Sequence, residues 1–388
     1  MNSIITKPCH VLLIVGDPSG GIRRHVHSII KGLDTQAYTI SYVYDASAAD
    51  KTFQQEINVL QTQLAHQLNL SVHKAPHPSD LINIYKLYQF VRLHGVDIIH
   101  GHGAKAGLYA RVVSRLTGKK SVYTPHGGSA HDMFKWPMSW IYQTMERLLA
   151  SITDYFIFES AYTSQAMTQR LGYQPSNSVV NPNGIENCTV EKNTLIQAQT
   201  KLVEIDPLTP CRFAVFGMLR PQKGQHIAIE ALALLKEKGV KASLHLFGQG
   251  SSQADLQQQA ESLGLSQCVF FHGDVSPVEP WMQAVDVILI PSLFESFGYV
   301  AVEAMMLSCP LIVSKTGGLV DVVGHDYGYF FLPNNAVMLA DVMASMALNP
   351  NAEAVAANYQ RAKTLFLAST MLNGIMAVYQ RLYQLSKG

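Results

Sequence analysis

The sequence lacks the features that mark several large classes of protein. Only five of its 388 residues are cysteine, they are scattered, and none forms a CxxC pair. This pattern is typical of a reduced, cytosolic protein whose cysteines pack in the core. No apolar run approaches the roughly 18–20 residues of a membrane-spanning helix, and the first run, HVLLIVG, has no small-residue cleavage site of a signal peptide. We therefore expect a soluble, cytoplasmic protein that contacts a membrane at most peripherally.

Charge is also scarce. Charged residues make up 15% of the chain and the formal net charge is +1, so no global field marks a nucleic-acid-binding protein. The sequence contains neither G-x-G-x-x-G nor a Walker loop, which leaves NAD and P-loop chemistry unsupported. Hydrophobic residues at 48% are ample for packed cores, and the length suggests two or three domains.

Short β-rich runs alternate with helical patterns in the first half of the chain. The predicted strands are His10–Gly16, Thr39–Tyr44, Asp97–His100, Ser121–Thr124 and Tyr155–Glu159. The predicted helices between them are Gly21–Leu33, Thr52–Leu68, Ser79–His94, Lys105–Thr117, Trp136–Ser151 and Ala161–Leu171. Strands separated by helices of this length predict right-handed βαβ units and a parallel sheet.

The alternation stops at NPNGIENCTVEKN, where Asn-Gly and proline indicate a loop. We expect the next regular run only at Arg212, and we place a domain boundary between residues 190 and 191. The second half then repeats the alternation, with strands predicted at CRFAVFG, ASLHLFG, CVFFHG, DVILIP, PLIVS and GYFFLP. The predicted fold class is α/β, with two Rossmann-like, doubly wound parallel-sheet domains at residues 1–190 and 191–367.

Ligands of open parallel sheets bind outside the carboxyl ends of the strands. The loops at these ends are rich in glycine, histidine and basic residues: GDPSGG, HGHGAK, TPHGGS, GMLRPQKG, FGQG, HGDVS, PSLFESFG and SKTGG. Such loops in both halves predict one ligand-binding cleft between the two domains.

Two of these loops suit a phosphate group. In GDPSGG, Gly20 and Gly21 would let backbone N–H groups approach an anion at a helix start; the alternative is an ordinary strand-to-helix turn. In GMLRPQKG, Arg220 and Lys223 precede a helix and suit a diphosphate. Solvated cations are the alternative there, although cations at a helix N-terminus oppose its dipole.

Three histidines follow neighbouring predicted strands. His100 and His102 form a His-x-His pair, and His126 follows the next strand. Three imidazoles could form a zinc site, but no acidic or cysteine ligand accompanies them locally beyond Asp132. The alternatives are a polar contact to a phosphate or sugar for His126 and a packed core position for His100.

Two glutamates stand eight residues apart in PSLFESFGYVAVEAM. Glu295 is expected in a loop, and Glu303 lies inside an apolar helical run. Eight helical residues rise about 12 Å, more than the roughly 5–9.5 Å between the carboxylates of a glycosidase pair. The pair therefore suits two distant points on one extended polar ligand. The N–H groups of Phe297, Gly298 and Tyr299 lie between them at the helix start, where phosphates bind. A structural buried carboxylate is the alternative for Glu303.

Together these residues resemble the E-x7-E signature of the retaining glycosyltransferases of family 4, which have the GT-B fold. The companion motifs occur in the same order over nearly the whole chain: SGGIRRHV, DIIHGHGAKAGLYAR, YTPHGG, NPNGIEN, the G-x-L-x-x-x-K-G loop, FHGDV and SKTGGLVDVV. The resemblance implies a central cleft and a C-terminal helix, about residues 368–388, that packs back onto the first domain.

The resemblance also implies a role for each matching residue. Glu295 would bind the hydroxyl groups of the donor hexose, and Glu303 would bind the ribose. Lys223 would bind the phosphates, and His126 would lie near the donor sugar. The remaining donor contacts would come from Gly20, Gly21, Val275 (beside the base), Phe297, Gly298 and Tyr299. The family commonly has arginine where this chain has Met218, which leaves the role of Arg220 open.

The expected function is retaining transfer of a hexose from a nucleotide-sugar donor, with a UDP-sugar favoured over a GDP-sugar. The acceptor would be a glycan or lipid-linked molecule in bacterial-type surface polysaccharide, lipopolysaccharide or glycolipid synthesis. No metal or other cofactor and no nucleic acid is expected. A helix at Met133–Ala150, with Trp136 and Trp140, could contact the inner face of the membrane, or it could simply pack on its own sheet. A phosphorylase, a nucleotide-sugar epimerase and a silent sugar-nucleotide-binding partner are the alternatives.

Overall fold

The computed structural model describes residues 7–73, 75–127, 138–207, 209–349 and 351–387. The chain divides into two compact units. The first unit comprises Met1–Gly184 together with Ala368–Gly388, and the second unit comprises Ile185–Leu367. Each unit is built on its own parallel sheet.

The first unit has a seven-stranded sheet of order β3-β2-β1-β4-β5-β6-β7. Its strands are β1 Cys9–Val15, β2 Tyr38–Tyr44, β3 His66–Asn69, β4 Ile98–His102, β5 Lys120–Thr124, β6 Tyr155–Phe158 and β7 Ser178–Val180. Its helices before the second unit are α1 Gly20–Gly32, α2 Lys51–Leu60, α3 Ser79–His94, α4 Ala104–Thr117, α5 Met138–Ala150 and α6 Ala161–Leu171.

The second unit has a six-stranded sheet of order β10-β9-β8-β11-β12-β13. Its strands are β8 Arg212–Phe216, β9 Ser243–Phe247, β10 Val269–Gly273, β11 Val287–Ile290, β12 Leu311–Ser314 and β13 Phe330–Phe331. Its helices are α7 Lys192–Ile205, α8 Gln225–Glu237, α9 Gln253–Ser262, α10 Glu279–Ala284, α11 Tyr299–Met306, α12 Gly318–Val323, α13 Ala336–Leu348 and α14 Ala352–Leu365. Both sheets start from a central strand and reverse direction once, which is the doubly wound order.

The pattern of burial explains why these strands form parallel sheets. All seven residues of β1, CHVLLIV, are buried. A strand that is apolar on both faces must be covered by helices on both faces of its sheet. Accordingly, Val11 and Leu13 pack in one hydrophobic core while Leu12 and Ile14 pack in another on the opposite face.

The last helix, α15 Ala368–Leu385, packs on the first unit. Its residues Met371, Ile375 and Tyr379 belong to the core that also contains α1. A Cβ atom at Gly32 would lie 2.1 Å from Leu372 Cδ1, so the glycine permits the close approach of α1 and α15.

The predicted α/β fold class is confirmed, but one predicted helix was too long, and strands β3 and β7 and helix α7 were not predicted. The helix predicted over Thr52–Leu68 ends at Leu60, and β3 follows it as a half-exposed edge strand. Helix α7 occupies the stretch before Arg212 that we expected to be irregular. It buries only Ala198 and Leu202, so its sequence carries little apolar periodicity. The start of the helix predicted at Trp136 lies outside the described residues.

Helix α3 has an unusual solvent-facing side. Leu81, Ile82 and Tyr85 are 75%, 57% and 59% exposed, and Lys86 and Arg92 are exposed beside them. Within the part of the chain that the structure describes, no helix is both long enough and apolar enough to cross a bilayer.

Candidate functional site

In the second unit, two predicted site residues contact each other directly. The Nζ atom of Lys223 lies 2.5 Å from Oε1 of Glu295, and the two side chains are 30% and 19% exposed. Lys223 closes a 3-10 turn, Pro221–Lys223, before α8, and Glu295 lies in the loop between β11 and α11. The structure thus joins the predicted phosphate-binding and hexose-binding side chains, although they are 72 residues apart in the sequence.

Glycines fix the backbone around this pair. Gly224 has φ +70°, and a Cβ atom there would lie 1.9 Å from the carbonyl oxygen of Pro291. A Cβ atom at Gly318 would lie 2.1 Å from the carbonyl oxygen of Ser296. The N–H of Gly318 also donates to the carbonyl oxygen of Glu295 at 2.9 Å. The loop that carries Glu295 is therefore clamped between the starts of α8 and α12, and its backbone position is strongly restricted.

Helix α11 begins directly after this loop and carries the second glutamate. Its N-cap is Gly298, at φ +107°, which offers no side-chain cap, and Phe297 beside it is buried. Glu303 is only 5% exposed and stands among the buried residues Val302, Ala304 and Met305. The predicted placement of Glu295 before the helix and Glu303 inside it agrees with the structure. The start of a helix attracts anions, so this is a suitable place for phosphate groups.

The other predicted donor-binding residues of the second unit lie on neighbouring loops. Arg220 is exposed, Met218 is 40% exposed, and Val275 is half-buried just after β10. Tyr299 is half-buried as the first residue of α11. Their predicted contacts with a donor stay predictions.

In the first unit, one of the two glycines predicted to approach a phosphate already has a partner. The N–H of Gly20, the first residue of α1, donates to Oδ2 of Asp50 at 2.9 Å. The Nε of Arg23 donates to the same oxygen at 3.1 Å. Gly21 is exposed. A carboxylate therefore stands at the start of α1 where we predicted an anionic ligand, and the predicted phosphate contact of Gly20 would require Asp50 to withdraw.

The carboxyl ends of β4, β5 and β6 bring together a buried polar network. Nδ1 of His102 lies 3.1 Å from Nε2 of His126, and Nδ1 of His126 lies 2.9 Å from Oε2 of Glu159. The Nδ2 of Asn183, which follows β7, donates to the same Glu159 oxygen at 3.0 Å. Both ring nitrogens of His126 are thus engaged within the first unit, and its place near a donor sugar stays a prediction.

His25 on α1 completes a cluster with His102 and His126. Its ring centroid lies 4.9 Å from that of His126 and 5.4 Å from that of His102. Burial lowers the pKa of His25 to about 3, and the neighbouring His126 adds to this effect. Burial also lowers the pKa of His102 well below its usual range. Both rings are therefore neutral at pH 7.

The structure corrects the zinc set considered from the sequence. Both ring nitrogens of His100 are taken, by Tyr379 Oη at 2.7 Å and Thr124 Oγ1 at 2.9 Å, so His100 is a packed core histidine. The nitrogens that approach within 4.8 Å of one another belong to His25, His102 and His126. The last two are joined to each other and to Glu159 by hydrogen bonds, and the expectation that no metal is used stays a prediction. Asp132 lies outside the described residues.

The sequence analysis did not identify His25, Asp50, Glu159 or Asn183. The available signals were weak: His25 is the next-to-last residue of SGGIRRHV, Glu159 ends a predicted strand, and Asn183 stands in NPNGIEN. Glu159 and Asn183 join the network only when the sheet orders β4, β5, β6 and β7 side by side, and Asp50 meets Gly20 and Arg23 of α1 only in the folded unit.

Comparison with known proteins places the two units in known families. A model of glycosyl transferases group 1 matches residues 206–363, and a model of glycosyltransferase family 4 matches residues 19–187. A UDP-Gal:alpha-D-GlcNAc-diphosphoundecaprenol alpha-1,3-galactosyltransferase of Escherichia coli is 24% identical over 266 residues, covering 66% of this chain and 68% of that enzyme.

Solved structures of glycosyltransferases share the fold over almost the whole chain. A glycosyltransferase of Rickettsia africae superposes with a TM-score of 0.80 at 17% identity, covering 97% of this chain and 99% of that one. HepE of Anabaena, solved with UDP and glucose, superposes with a TM-score of 0.78 at 22% identity, covering 95% and 99%. The two family matches together span most of the chain, and the two doubly wound units agree with the shared fold. The protein belongs to the family 4 type of glycosyltransferases, which have the GT-B fold and use nucleotide-sugar donors.

Proposed function

We propose that the protein is a retaining hexosyltransferase that uses a UDP-sugar, in preference to a GDP-sugar, and acts on a glycan or lipid-linked acceptor. The proposed setting is the cytoplasmic side of bacterial-type surface polysaccharide, lipopolysaccharide or glycolipid synthesis. The E. coli relative is named for a UDP-galactose donor and a diphosphoundecaprenol acceptor, and HepE was solved with UDP and glucose. These names support the choice of donor and acceptor class.

The observation that carries this proposal is the contact between Lys223 and Glu295 at the start of α11, with Glu303 buried in the same helix. In the proposed arrangement, Glu303 binds the ribose hydroxyls, and Lys223 binds the diphosphate together with the N–H groups of Phe297, Gly298 and Tyr299. Glu295 binds the hexose hydroxyls. Arg220 adds a cation near the phosphates, and the backbone near Val275 borders the base.

Bond cleavage then depends on stabilising the departing diphosphate. The ammonium group of Lys223 and the dipole of α11 oppose the negative charge that develops on the leaving oxygen. In same-face transfer, the departing phosphate takes the proton of the acceptor hydroxyl as that hydroxyl attacks the anomeric carbon. The sugar keeps its anomeric configuration. We propose that no metal ion is required, because cationic groups of the chain stabilise the negative charge of the leaving diphosphate.

A donor panel tests the reaction. Purified protein is incubated with UDP- and GDP-sugars and with acceptor extracts, and release of UDP or GDP is measured. We expect UDP release that depends on the acceptor, and a product whose anomeric configuration, read by NMR, matches that of the donor. No release and no donor binding across the panel would refute the proposal. Sugar phosphate or an epimerised donor would indicate the phosphorylase or epimerase instead, and tight binding without turnover would indicate a silent partner.

Metal independence needs its own test. We expect full activity after dialysis against EDTA, and less than one equivalent of bound transition metal by elemental analysis. Stoichiometric zinc that is lost together with activity in His25→Ala would contradict this part of the proposal. His25 is the informative position because it belongs to the imidazole cluster but has no proposed contact with the donor.

Peripheral membrane contact stays a proposal for two helices. On α5, the helix considered from the sequence, Trp140 is 62% exposed, while Trp136 lies outside the described residues. On α3, Leu81 and Tyr85 are exposed. We expect Leu81→Glu with Tyr85→Glu to weaken binding to vesicles that contain anionic lipid. Leu348→Glu, at an 82% exposed leucine of the second unit, is the matched control. Equal vesicle binding by all three proteins would refute the contact.

A further inference from the structure

The imidazole of His126 is held from both sides. Its Nδ1 atom faces the Glu159 carboxylate, and its Nε2 atom faces Nδ1 of His102. A carboxylate only accepts hydrogen bonds, so Nδ1 of His126 carries a proton. In the neutral ring, Nε2 then accepts a hydrogen bond from the Nδ1–H of His102. Glu159 thereby fixes the tautomers of both histidines.

Glu159 is itself anchored. Its side chain is 4% exposed, and that of His126 is 3% exposed. Asn183, which is 1% exposed, donates to the same carboxylate oxygen. Because the carboxylate is buried and bound from a second side, it cannot follow the ring if the ring moves. The network is therefore a rigid support for His126.

The backbone conformation of His126 indicates why its ring needs this support. Its φ angle is +50°, a region that residues other than glycine seldom adopt. Such a conformation costs on the order of 1–3 kcal/mol, and it persists only where the surroundings enforce it. The hydrogen bonds to the His126 ring supply that enforcement. Strain of this kind is concentrated at active sites.

We propose that Glu159 is a positioning residue for the transfer reaction, which acts only through His126. It holds the ring tautomer of His126 and the strained turn at His126–Gly127 in the geometry that the transfer step requires. This inference rests on the proposed function and on the prediction that His126 lies near the donor sugar. It adds Glu159, supported by Asn183, to the residues on which turnover depends.

The proposal predicts a specific kinetic pattern. Glu159→Ala should lower kcat roughly 10- to 100-fold, because misplacing a group in the site by about 1 Å can cost on the order of 100-fold. Glu159→Gln should lose less, since its amide oxygen can still accept the hydrogen bond from Nδ1 of His126. Neither variant should change the affinity for UDP by more than about twofold, because every residue proposed to bind the nucleotide, apart from Gly20 and Gly21, belongs to the second unit.

A double-mutant cycle separates positioning from general destabilisation. In a His126→Ala background, Glu159→Ala should have no further effect on kcat. The matched control is Glu146→Gln, which removes the charge of another buried carboxylate of the first unit, 6% exposed and paired with Arg111 at 2.7 Å. Glu146→Gln should lower the thermal midpoint at least as much as Glu159→Gln, yet leave kcat per folded molecule unchanged.

The outcomes are distinguishable. Wild-type kcat in Glu159→Ala, or an undiminished effect of that change in the His126→Ala background, overturns the positioning role while the proposed function stands. An inactive wild-type protein overturns the proposed function. Nitrogen chemical shifts of His126 then test the support directly: a ring protonated at Nδ1 in the wild type but not in Glu159→Ala supports it, and unchanged shifts overturn it.

Discussion

The carboxyl edges of the two sheets differ in how their polar groups are partnered. In the first unit, the side chains of His102, His126 and Glu159 are buried and joined by hydrogen bonds that the protein itself supplies. In the second unit, the side chains of Lys223 and Glu295 are partly exposed and joined to each other. A buried network whose members bind one another can position a group, whereas a half-exposed ion pair can exchange its partner for a ligand. The difference agrees with the roles proposed above, positioning at the edge of the first sheet and donor binding at the edge of the second.

The largest expected effect concerns the ion pair between Lys223 and Glu295. Lys223→Ala should lower kcat on the order of 100- to 1,000-fold, as expected when one group that stabilises developing negative charge is removed. Turnover of the donor identified by the panel is the measurement. Lys238→Ala is the control, because Lys238 forms a more exposed ion pair with Asp341 in the same unit and should leave kcat unchanged. A loss below about threefold for Lys223→Ala would show that the cation is not at the leaving group.

A second prediction concerns stability at acid pH, which we expect to differ between the two units because they bury different numbers of imidazoles. Burial lowers the pKa of His25 and His102 in the first unit, together with that of the core residue His100. In the second unit, it lowers the pKa of His245 and His272 to about 4. An unfolded histidine binds a proton near pH 6.5, whereas these folded rings stay neutral. The unfolded state therefore binds more protons below pH 6.5, and stability falls as the pH falls.

Each such histidine contributes up to about 1.4 kcal/mol per pH unit. With three fully buried rings of this kind, the first unit should lose protection faster than the second between pH 6.5 and pH 5. Hydrogen exchange read by mass spectrometry resolves the two units. His25→Gln should reduce the slope of the first unit by about one proton and leave the second unchanged. Parallel slopes in both units would contradict the prediction.

There is a physical reason why the sequence pointed to polar residues at the carboxyl edge of the second sheet and missed some at the carboxyl edge of the first. Glu295 and Glu303 share one loop and helix, and Lys223 lies in a short glycine-bounded loop, so local spacing alone indicated their chemistry. Glu159 and Asn183 each reach the network through a different strand, and no local pattern distinguishes them from other polar residues at strand ends. Conversely, the glycine loop at Gly20 has the expected backbone, but a side chain from 30 residues away, Asp50, takes its N–H group.

Secondary structure was likewise predictable only where the local sequence carries a clear pattern. Buried elements such as β1 were predictable, because burial on both faces leaves a continuous apolar run. Strands β3 and β7 and helix α7 were missed because they bury little: both strands lie at the edges of their sheet, and α7 buries two residues. Their positions are set by neighbours, β2 and β6 for the strands and α10 for the helix.

A third prediction tests the glycine clamp around Lys223. Gly224→Ala should cost more than about 2 kcal/mol of unfolding free energy, because it combines a positive φ with a collision against the Pro291 carbonyl. Gly239→Ala is the matched control, with φ +76° and nothing within 4 Å of the added Cβ, and should cost about 1 kcal/mol. Denaturant unfolding of both variants gives the comparison. Equal losses would show that the contact with Pro291 adds nothing.

The smallest expected effect is a change in UDP affinity that distinguishes the roles of the two glutamates. We expect Glu303→Gln to lower this affinity and Glu295→Gln not to lower it. Glu303→Gln should weaken binding of free UDP about tenfold, since hydrogen bonds to a charged group contribute on the order of 1.5–3 kcal/mol. Glu295→Gln should instead leave UDP binding unchanged or strengthen it up to about fivefold, because it releases Lys223 from a partly exposed ion pair worth at most about 1 kcal/mol. The same Glu295 change should weaken binding of the intact nucleotide-sugar, whose hexose loses a partner. Calorimetric titration with UDP and with the donor measures all four affinities, and weaker UDP binding by Glu295→Gln would mean that this carboxylate contacts the nucleotide and not the sugar.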